Sequence, residues 1–148
     1  MNEKKRIMAV DPGQKRTGVA LSDPTGTIAN PLEIVEKTSR ESTADYLLEL
    51  ARDRNVAKIV VGQALHWDRS PSQQSKIAVS LASTIRKKTD IPVILWNEYG
   101  STQTAQEARI AMGLSTKKRQ QNIDHLAATV ILQSYLDAQD KGSEDHRE

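Results

Sequence analysis

The stretch Arg6-Ile-Met-Ala-Val-Asp-Pro-Gly-Gln-Lys-Arg-Thr-Gly-Val-Ala-Leu-Ser-Asp23 decides the architecture. Ile7 to Val10 is a continuous apolar run too short for a helix, and Pro12-Gly13 stops it. It therefore predicts a buried strand ending in a carboxylate, Asp11. Thr17 to Ser22 follows a Gly-containing turn with β-branched and aliphatic residues, the second arm of a hairpin. Desolvating a lone carboxylate is costly, so an acid at the end of a buried strand needs something that pairs with it or binds it. Three readings of Asp11 stand side by side on this stretch alone. It caps an Asp-Pro-Gly turn, it belongs to a phosphate loop built from Asp-x-Gly with Thr17-Gly18, or it is a metal ligand.

Outward from the hairpin, Asp23-Pro-Thr-Gly26 places Pro and Gly where a tight turn wants them. Thr27 to Val35 predicts a third strand, and Pro31 inside it assigns that strand to an edge. Thr38-Ser-Arg-Glu41 has capping-box spacing, and Ala44, Leu47, Leu48 and Ala51 follow on one face, giving a helix over residues 40–54. Lys58 to Gly62 reads as a buried strand which, reached through a helix, lies parallel to that of Asp11. In Ser70-Pro-Ser-Gln73, Ser70 is the expected cap, Pro71 the first helical residue and Gln73 the reciprocal side chain. Ile77, Ala78, Leu81 and Ile85 form that helix's inner face, and Arg86-Lys-Lys88 suits its carboxyl end. Pro92 to Trp96 is the fifth strand, ending at Asn97-Glu98. A further helix is expected from Ser101 to Met112, stopped by Gly113, then a basic loop from Ser115 to Gln121. The last helix is capped by Asn122, with the face Ile123, Leu126, Ala127, Val130, Ile131 and Tyr135.

The order β-β-β-α-β-α-β-α-α predicts an α/β fold: a five-stranded mixed sheet, an antiparallel meander then parallel crossovers, with helices on both faces. With 148 residues, one domain over residues 1–139 is expected, and the apolar-free stretch 140–148 reads as a disordered tail. That size weighs against the phosphate-loop reading, whose actin-like and sugar-kinase ATPases resemble two such domains closing on a nucleotide. A net charge of +2 is only mildly basic, but the basic residues cluster at Lys4-Lys5-Arg6, Lys15-Arg16, Arg86-Lys-Lys88 and Lys117-Lys118-Arg119. With no cysteine, a disulfide framework and a thiolate zinc site are excluded. No apolar stretch has the length of a signal-peptide core or a membrane span, so the expectation is a cytoplasmic protein with no membrane partner.

In such sheets function collects at the carboxyl ends of the strands. Asp11 and Glu98 sit at strand ends, and Asp124 lies on the helix that packs back over the sheet. Like charges repel unless a cation joins them, and an all-oxygen set suits Mg²⁺ or Mn²⁺. Two such ions activate water and stabilise the leaving oxygen of a phosphodiester. His66 and His125 read as solvated rather than as ligands. Lys15, Arg16, Arg69, Lys117, Lys118 and Arg119 are the candidate nucleic-acid contacts, holding phosphates rather than reading sequence. Trp67 is either a base-stacking residue or a loop anchor.

Over roughly Arg6 to Ala138 the chain resembles the YqgF/RuvX family of RNase H-like proteins. The matching pieces are Val10-Asp-Pro-Gly with Arg16-Thr-Gly-Val-Ala-Leu-Ser-Asp23, then Ile59-Val-Val-Gly62, Glu98 with Ser101-Thr102, and Asp124-x-x-Ala-Ala128 with Ile131-Leu-Gln-Ser-Tyr-Leu136. The resemblance implies a metal-dependent nuclease acting at the 5′ end of the small-subunit (16S) ribosomal RNA precursor, with Asp11, Glu98 and Asp124 as catalytic acids. It also implies a Holliday-junction resolvase role, an RNA precursor being the favoured partner over branched DNA. Two places depart from the family pattern. Gln63-Ala-Leu-His-Trp-Asp-Arg-Ser70 stands where the family reads Leu-Pro-Leu and a polar Gly-Thr turn, and Asn97-Glu98-Tyr99 stands where it reads Asp-Glu-Arg. The rival is a non-catalytic nucleic-acid-binding module on the same fold.

Overall fold

The computed structural model describes residues 6–37, 39–63, 72–97 and 126–139. Its elements run β1 (Arg6–Pro12), β2 (Thr17–Ser22), β3 (Ala29–Val35), α1 (Arg40–Asp53), β4 (Val56–Gln63), α2 (Gln73–Arg86) and β5 (Val93–Asn97). A helix over residues 126–139, α3, follows. The strands form one sheet in the order β3-β2-β1-β4-β5. β1, β2 and β3 are the antiparallel meander, and β4 and β5 continue the sheet parallel to β1. This is the expected mixed sheet. The helix expected over 101–112, the loop over 115–121, the cap at Asn122 and the tail over 140–148 lie outside the described residues.

Alternation along β1 sorts two cores. Met8 and Val10 face α1 and α2, where Leu47, Leu81 and Ile85 are buried, and Ala9 faces the opposite side with Ala128, Leu132 and Tyr135 of α3. β4 divides in the same way, with Ile59 and Val61 on the first side and Val60 on the second. A strand covered on both faces must be apolar at every position, which is why Ile7 to Val10 shows no alternation in sequence. Each fully buried Leu or Ile in these layers contributes about 1.5–3 kcal/mol.

β1 does not stop at Asp11. Asp11 and Pro12 still pair with Gly18 and Thr17 across the hairpin, and the turn comes at Gly13, where a Cβ would lie 2.7 Å from the Arg16 carbonyl oxygen. β3 is an edge strand, as Pro31 predicts. The register shifts by one residue between Val19 and Ala20, and Pro31 stands opposite Ala20 at that bulge.

Both helix starts differ from the sequence expectation. Ser39 rather than Thr38 caps α1: its Oγ accepts from the Ser42 N–H at 3.0 Å, and the Ser42 Oγ accepts from the Ser39 N–H at 3.4 Å. Ser72 rather than Ser70 caps α2 in the same reciprocal manner with Ser75, at 3.0 and 2.8 Å. A serine at the third helical position closes the loop assigned to Glu41 and Gln73. The face of α3 is also corrected. Ala128, Ile131, Leu132, Tyr135 and Leu136 are buried, whereas Leu126, Ala127 and Val130 are only half-buried.

That face is selected by Gly62. A Cβ on Gly62 would lie 2.4 Å from Ile131 Cδ1 and 3.1 and 3.2 Å from its Cγ atoms, so α3 rests directly on the β4 backbone. Gly62→Ala is expected to lower stability by about 1–3 kcal/mol, measured by urea unfolding. Adding Ile131→Val, which removes the Cδ1, should recover part of the loss, and an unchanged midpoint in the single variant would contradict this seat. Asn55, between α1 and β4, has φ 55°. Asn55→Val should cost about 1–2 kcal/mol in the same assay while Asn55→Gly stays close to the parent.

Candidate active site at the carboxyl edge of the sheet

Val10 pairs with Val61, and the next residues of β4 and β5, Gly62 and Trp96, pair with each other. Asp11, Gly62 and Trp96 therefore fall on one row across three strands. Alternation puts all of them on the α3 face, two residues on from Ala9, Val60 and Ile94. Asp11 is half-buried there. Pro12 turns to the opposite face, and its carbonyl accepts from Gln74 Nε2 at 3.0 Å, which ties the first turn of α2 to the end of β1.

α3 is aimed at this edge. Ile131 sits on Gly62 near the carboxyl end of β4, and the Tyr135 hydroxyl accepts from Lys58 Nζ at 2.9 Å near its beginning. The helix thus runs antiparallel to β4, with its amino end and the partial positive charge of its dipole toward the end of β1. Cross-ties fix it. Trp96 Nε1 donates to Ser134 Oγ at 3.1 Å, and the Trp96 and Tyr135 rings meet edge to face at 5.2 Å. Gln133 Oε1 accepts from the Ala29 N–H at 3.0 Å while its Nε2 donates to the Thr27 carbonyl at 3.1 Å.

Asp11 is the member of the expected acid trio that lies among the described residues. Glu98 directly follows the last residue of β5 and Asp124 lies two positions before Leu126 in sequence, both outside the described residues. Among the described residues no group of three His, Cys, Asp or Glu side chains is placed to hold a metal ion. Lys15 borders a cavity on the α1–α2 side of the sheet, the face opposite that of Asp11. Arg16 pairs with Glu36 at 3.0 Å, both exposed, a contact worth little on its own. Arg69, Lys117, Lys118 and Arg119, with His66, Trp67 and His125, lie outside the described residues. At the two positions that depart from the family pattern, Gln63 Nε2 donates to Asn97 Oδ1 at 2.6 Å and joins the ends of β4 and β5.

Sequence reasoning left the role of Asp23 open. Its Oδ1 accepts from the Ile28 and Thr27 N–H groups at 2.9 and 2.8 Å, and its Oδ2 accepts from the Thr25 hydroxyl. Its backbone carbonyl accepts from the Gly26 N–H at 3.0 Å, with Gly26 at φ 72°. Asp23 is therefore the clamp of the β2–β3 turn. The Ile28 amide first, then the Thr25 hydroxyl and Thr27 amide, hold its carboxyl well below the ordinary carboxylate range.

A mixed sheet in this order, with helices on both faces and an acid at the end of its central strand, is the RNase H-like fold. The same fold is seen in "T. thermophilus RuvC in complex with Holliday junction substrate" (TM-score 0.55, 16% identity, 91% of this chain and 95% of that one). The fowlpox virus Holliday junction resolvase is similar (TM-score 0.54, 17% identity, 90% and 99%). The model of the family described as "RuvX: Holliday junction resolvase" matches residues 5–138, and the chain belongs to that family. Relatives named "Putative pre-16S rRNA nuclease" include those of Desulforamulus reducens, 35% identical over 90% of this chain and 97% of the relative, and Pelotomaculum thermopropionicum, 39% identical over 90% and 88%. The chain is an enzyme of this phosphodiester-hydrolysing class.

A carboxyl whose pKa is lowered by folding contributes stability that is present above its unfolded value, near 3.9, and lost as pH falls toward the folded one. The stability gap between the parent and Asp23→Asn should therefore be widest at neutral pH and shrink as pH falls below about 4, followed by thermal unfolding across pH. A gap that widens in acid would contradict the clamp.

Proposed function

We propose that the chain is a divalent-metal-dependent nuclease that processes the 5′ end of the small-subunit (16S) ribosomal RNA precursor in the cytoplasm, as one domain over residues 1–139. Asp11, Glu98 and Asp124 are its catalytic and metal-holding acids. The observation that carries the reading is the placement of Asp11: half-buried at the end of β1, on the face that α3 covers, at the edge where β4 and β5 also end. In sequence Glu98 directly follows the last residue of β5 and Asp124 lies two positions before Leu126, and the proposal assigns both to the ion beside Asp11.

The donor set fits the ion. Three carboxylates with no histidine or cysteine make an all-oxygen site, which suits Mg²⁺ or Mn²⁺, and such an ion when bound supplies Lewis-acid stabilisation and a more acidic water. The protein's own part is positional. β1, paired on both sides, fixes Asp11, and the amino end of α3 favours the negative charge of a phosphate at that edge. Arg16 exchanges Glu36 for a phosphate oxygen, and Arg69, Lys117, Lys118 and Arg119 add salt-sensitive contacts along the strand, whereas Lys15 faces the cavity on the other side of the sheet. The family description supports a second reading, resolution of branched DNA at the same site.

The test is Mn²⁺-dependent cleavage of a ribosomal precursor leader beside a four-way junction, with the parent and Asp11→Asn. The leader should be cut and the junction cut more slowly. Asp11→Asn should lower the rate by at least about 100-fold, the upper end of what losing an outer ligand contact costs, while its fold and nucleic-acid affinity are retained. Equal cleavage by Asp11→Asn would reject the mechanism, and preference for the junction would transfer the reading to branched DNA.

A further inference from the structure

On the sheet face away from Asp11, a cavity of about 400 Å³ opens between the β1–β2 turn and the first turns of α1 and α2. Small-ligand sites fall in the range of about 300–1,000 Å³. Among the described residues four cationic side chains border it, Lys15, Lys37, Arg40 and Lys76, and no carboxylate does. The neighbouring acids are engaged elsewhere. Glu36 pairs with Arg16 at 3.0 Å, Glu41 and Asp45 pair with Lys88 at 3.0 and 3.2 Å, and Glu33 accepts from the Tyr46 hydroxyl at 2.6 Å. Lys37 lies 4.5 Å over the Tyr46 ring. Among the described residues no carboxylate pairs with Lys15, Arg40 or Lys76.

This arrangement works against the fold when the cavity is empty of anions. Arg40 and Lys76 stand in the first turns of α1 and α2, where the helix dipole favours acids, and the first turn of α2 carries no acid at all. An anion reverses that sign, because the same cations and the two amino ends then act together on it. The cavity also has an apolar side, made by Val35, Ile77 and Leu81, and hydroxyl groups from Ser39 and Ser80. Three unpaired cations call for more charge than one phosphodiester carries, whereas a phosphate monoester carries about −1.5 to −2 at neutral pH.

We infer that this cavity binds the phosphate monoester of a nucleotide, its phosphate held by Lys15, Arg40 and Lys76 and its base or sugar resting on Ile77 and Leu81. The monoester belongs to a free nucleotide or to the 5′-terminal residue of a nucleic-acid strand. This goes beyond the nuclease reading, since binding is measured on the opposite face and without cleavage.

The test titrates the full chain, in EDTA and low salt, with adenosine 5′-monophosphate, adenosine, and a short oligonucleotide with either a 5′-phosphate or a 5′-hydroxyl. Affinities come from calorimetry and sites from amide NMR shifts. Saturable shifts are expected at Gly13 to Thr17, Ser39 to Thr43 and Gln73 to Leu81, with adenosine and the 5′-hydroxyl strand at least tenfold weaker. Arg40→Gln and Lys76→Gln should each weaken binding about tenfold, the cost of one charge-assisted hydrogen bond, with the rest of the amide spectrum unchanged. Asp11→Asn should bind like the parent whether or not it cleaves. Tighter binding of the phosphorylated strand assigns the strand end as the source, and tighter binding of the mononucleotide assigns the free nucleotide. Absence of saturable shifts with both phosphorylated probes at millimolar concentration, or affinities indifferent to both charge-removing variants, would overturn the proposal.

Discussion

The contact between Ile131 and the bare backbone of Gly62 governs the rest of the molecule. Without a side chain at that position, α3 approaches β4 closely enough to bury Ala128, Leu132 and Tyr135 against Ala9 and Val60. The seat also sets direction. With Ile131 over the end of β4 and Tyr135 over Lys58, the helix has one way to run, and its amino end comes to the edge where Asp11 lies. A side chain at Gly62 would lift the helix from the acid it helps to frame.

Crossover topology adds a second constraint at the same edge. α1 and α2 each return the chain to the start of a parallel strand, so their amino ends sit beside the carboxyl ends of β1 and β4. The described helices thus direct their positive ends to one side of the sheet, a setting suited to phosphate. The sheet divides that setting in two. Asp11 faces α3, while its neighbour Pro12 borders the cation-lined cavity beneath α1 and α2. One strand end serves both, and Gln74 bonds the Pro12 carbonyl between them.

Much of this was legible because it rests on short-range rules. An unbroken apolar run ending in Asp-Pro-Gly gives a central strand with an acid at its end, and Pro31 marks β3 as an edge because it has no N–H to donate. The helix starts differ from expectation because Ser-x-x-Ser closes the same reciprocal bonds as the expected box, and the small cap preference of Ser over Thr is outweighed in sequence by the Glu three residues after Thr38. The face of α3 was displaced because its sequence carries two overlapping apolar stripes that share Ile131 and Tyr135. Only the partner, Gly62, chooses between them. The basic cavity assembles from three segments distant in sequence. The sequence expectations do not include it, although one local signal exists: Arg40 and Lys76 stand where a helix start prefers acids.

The central claim is that a divalent ion collects at the end of β1 under the amino end of α3. The most direct measurement is paramagnetic broadening of amide and tryptophan indole resonances by substoichiometric Mn²⁺. The account predicts loss of signal at Val10 to Gly13, Gly62, Gln63, Trp96 and residues 126–128, abolished by Asp11→Asn. Broadening centred instead on Glu41 and Asp45, with the Asp11 resonance left sharp, would contradict it.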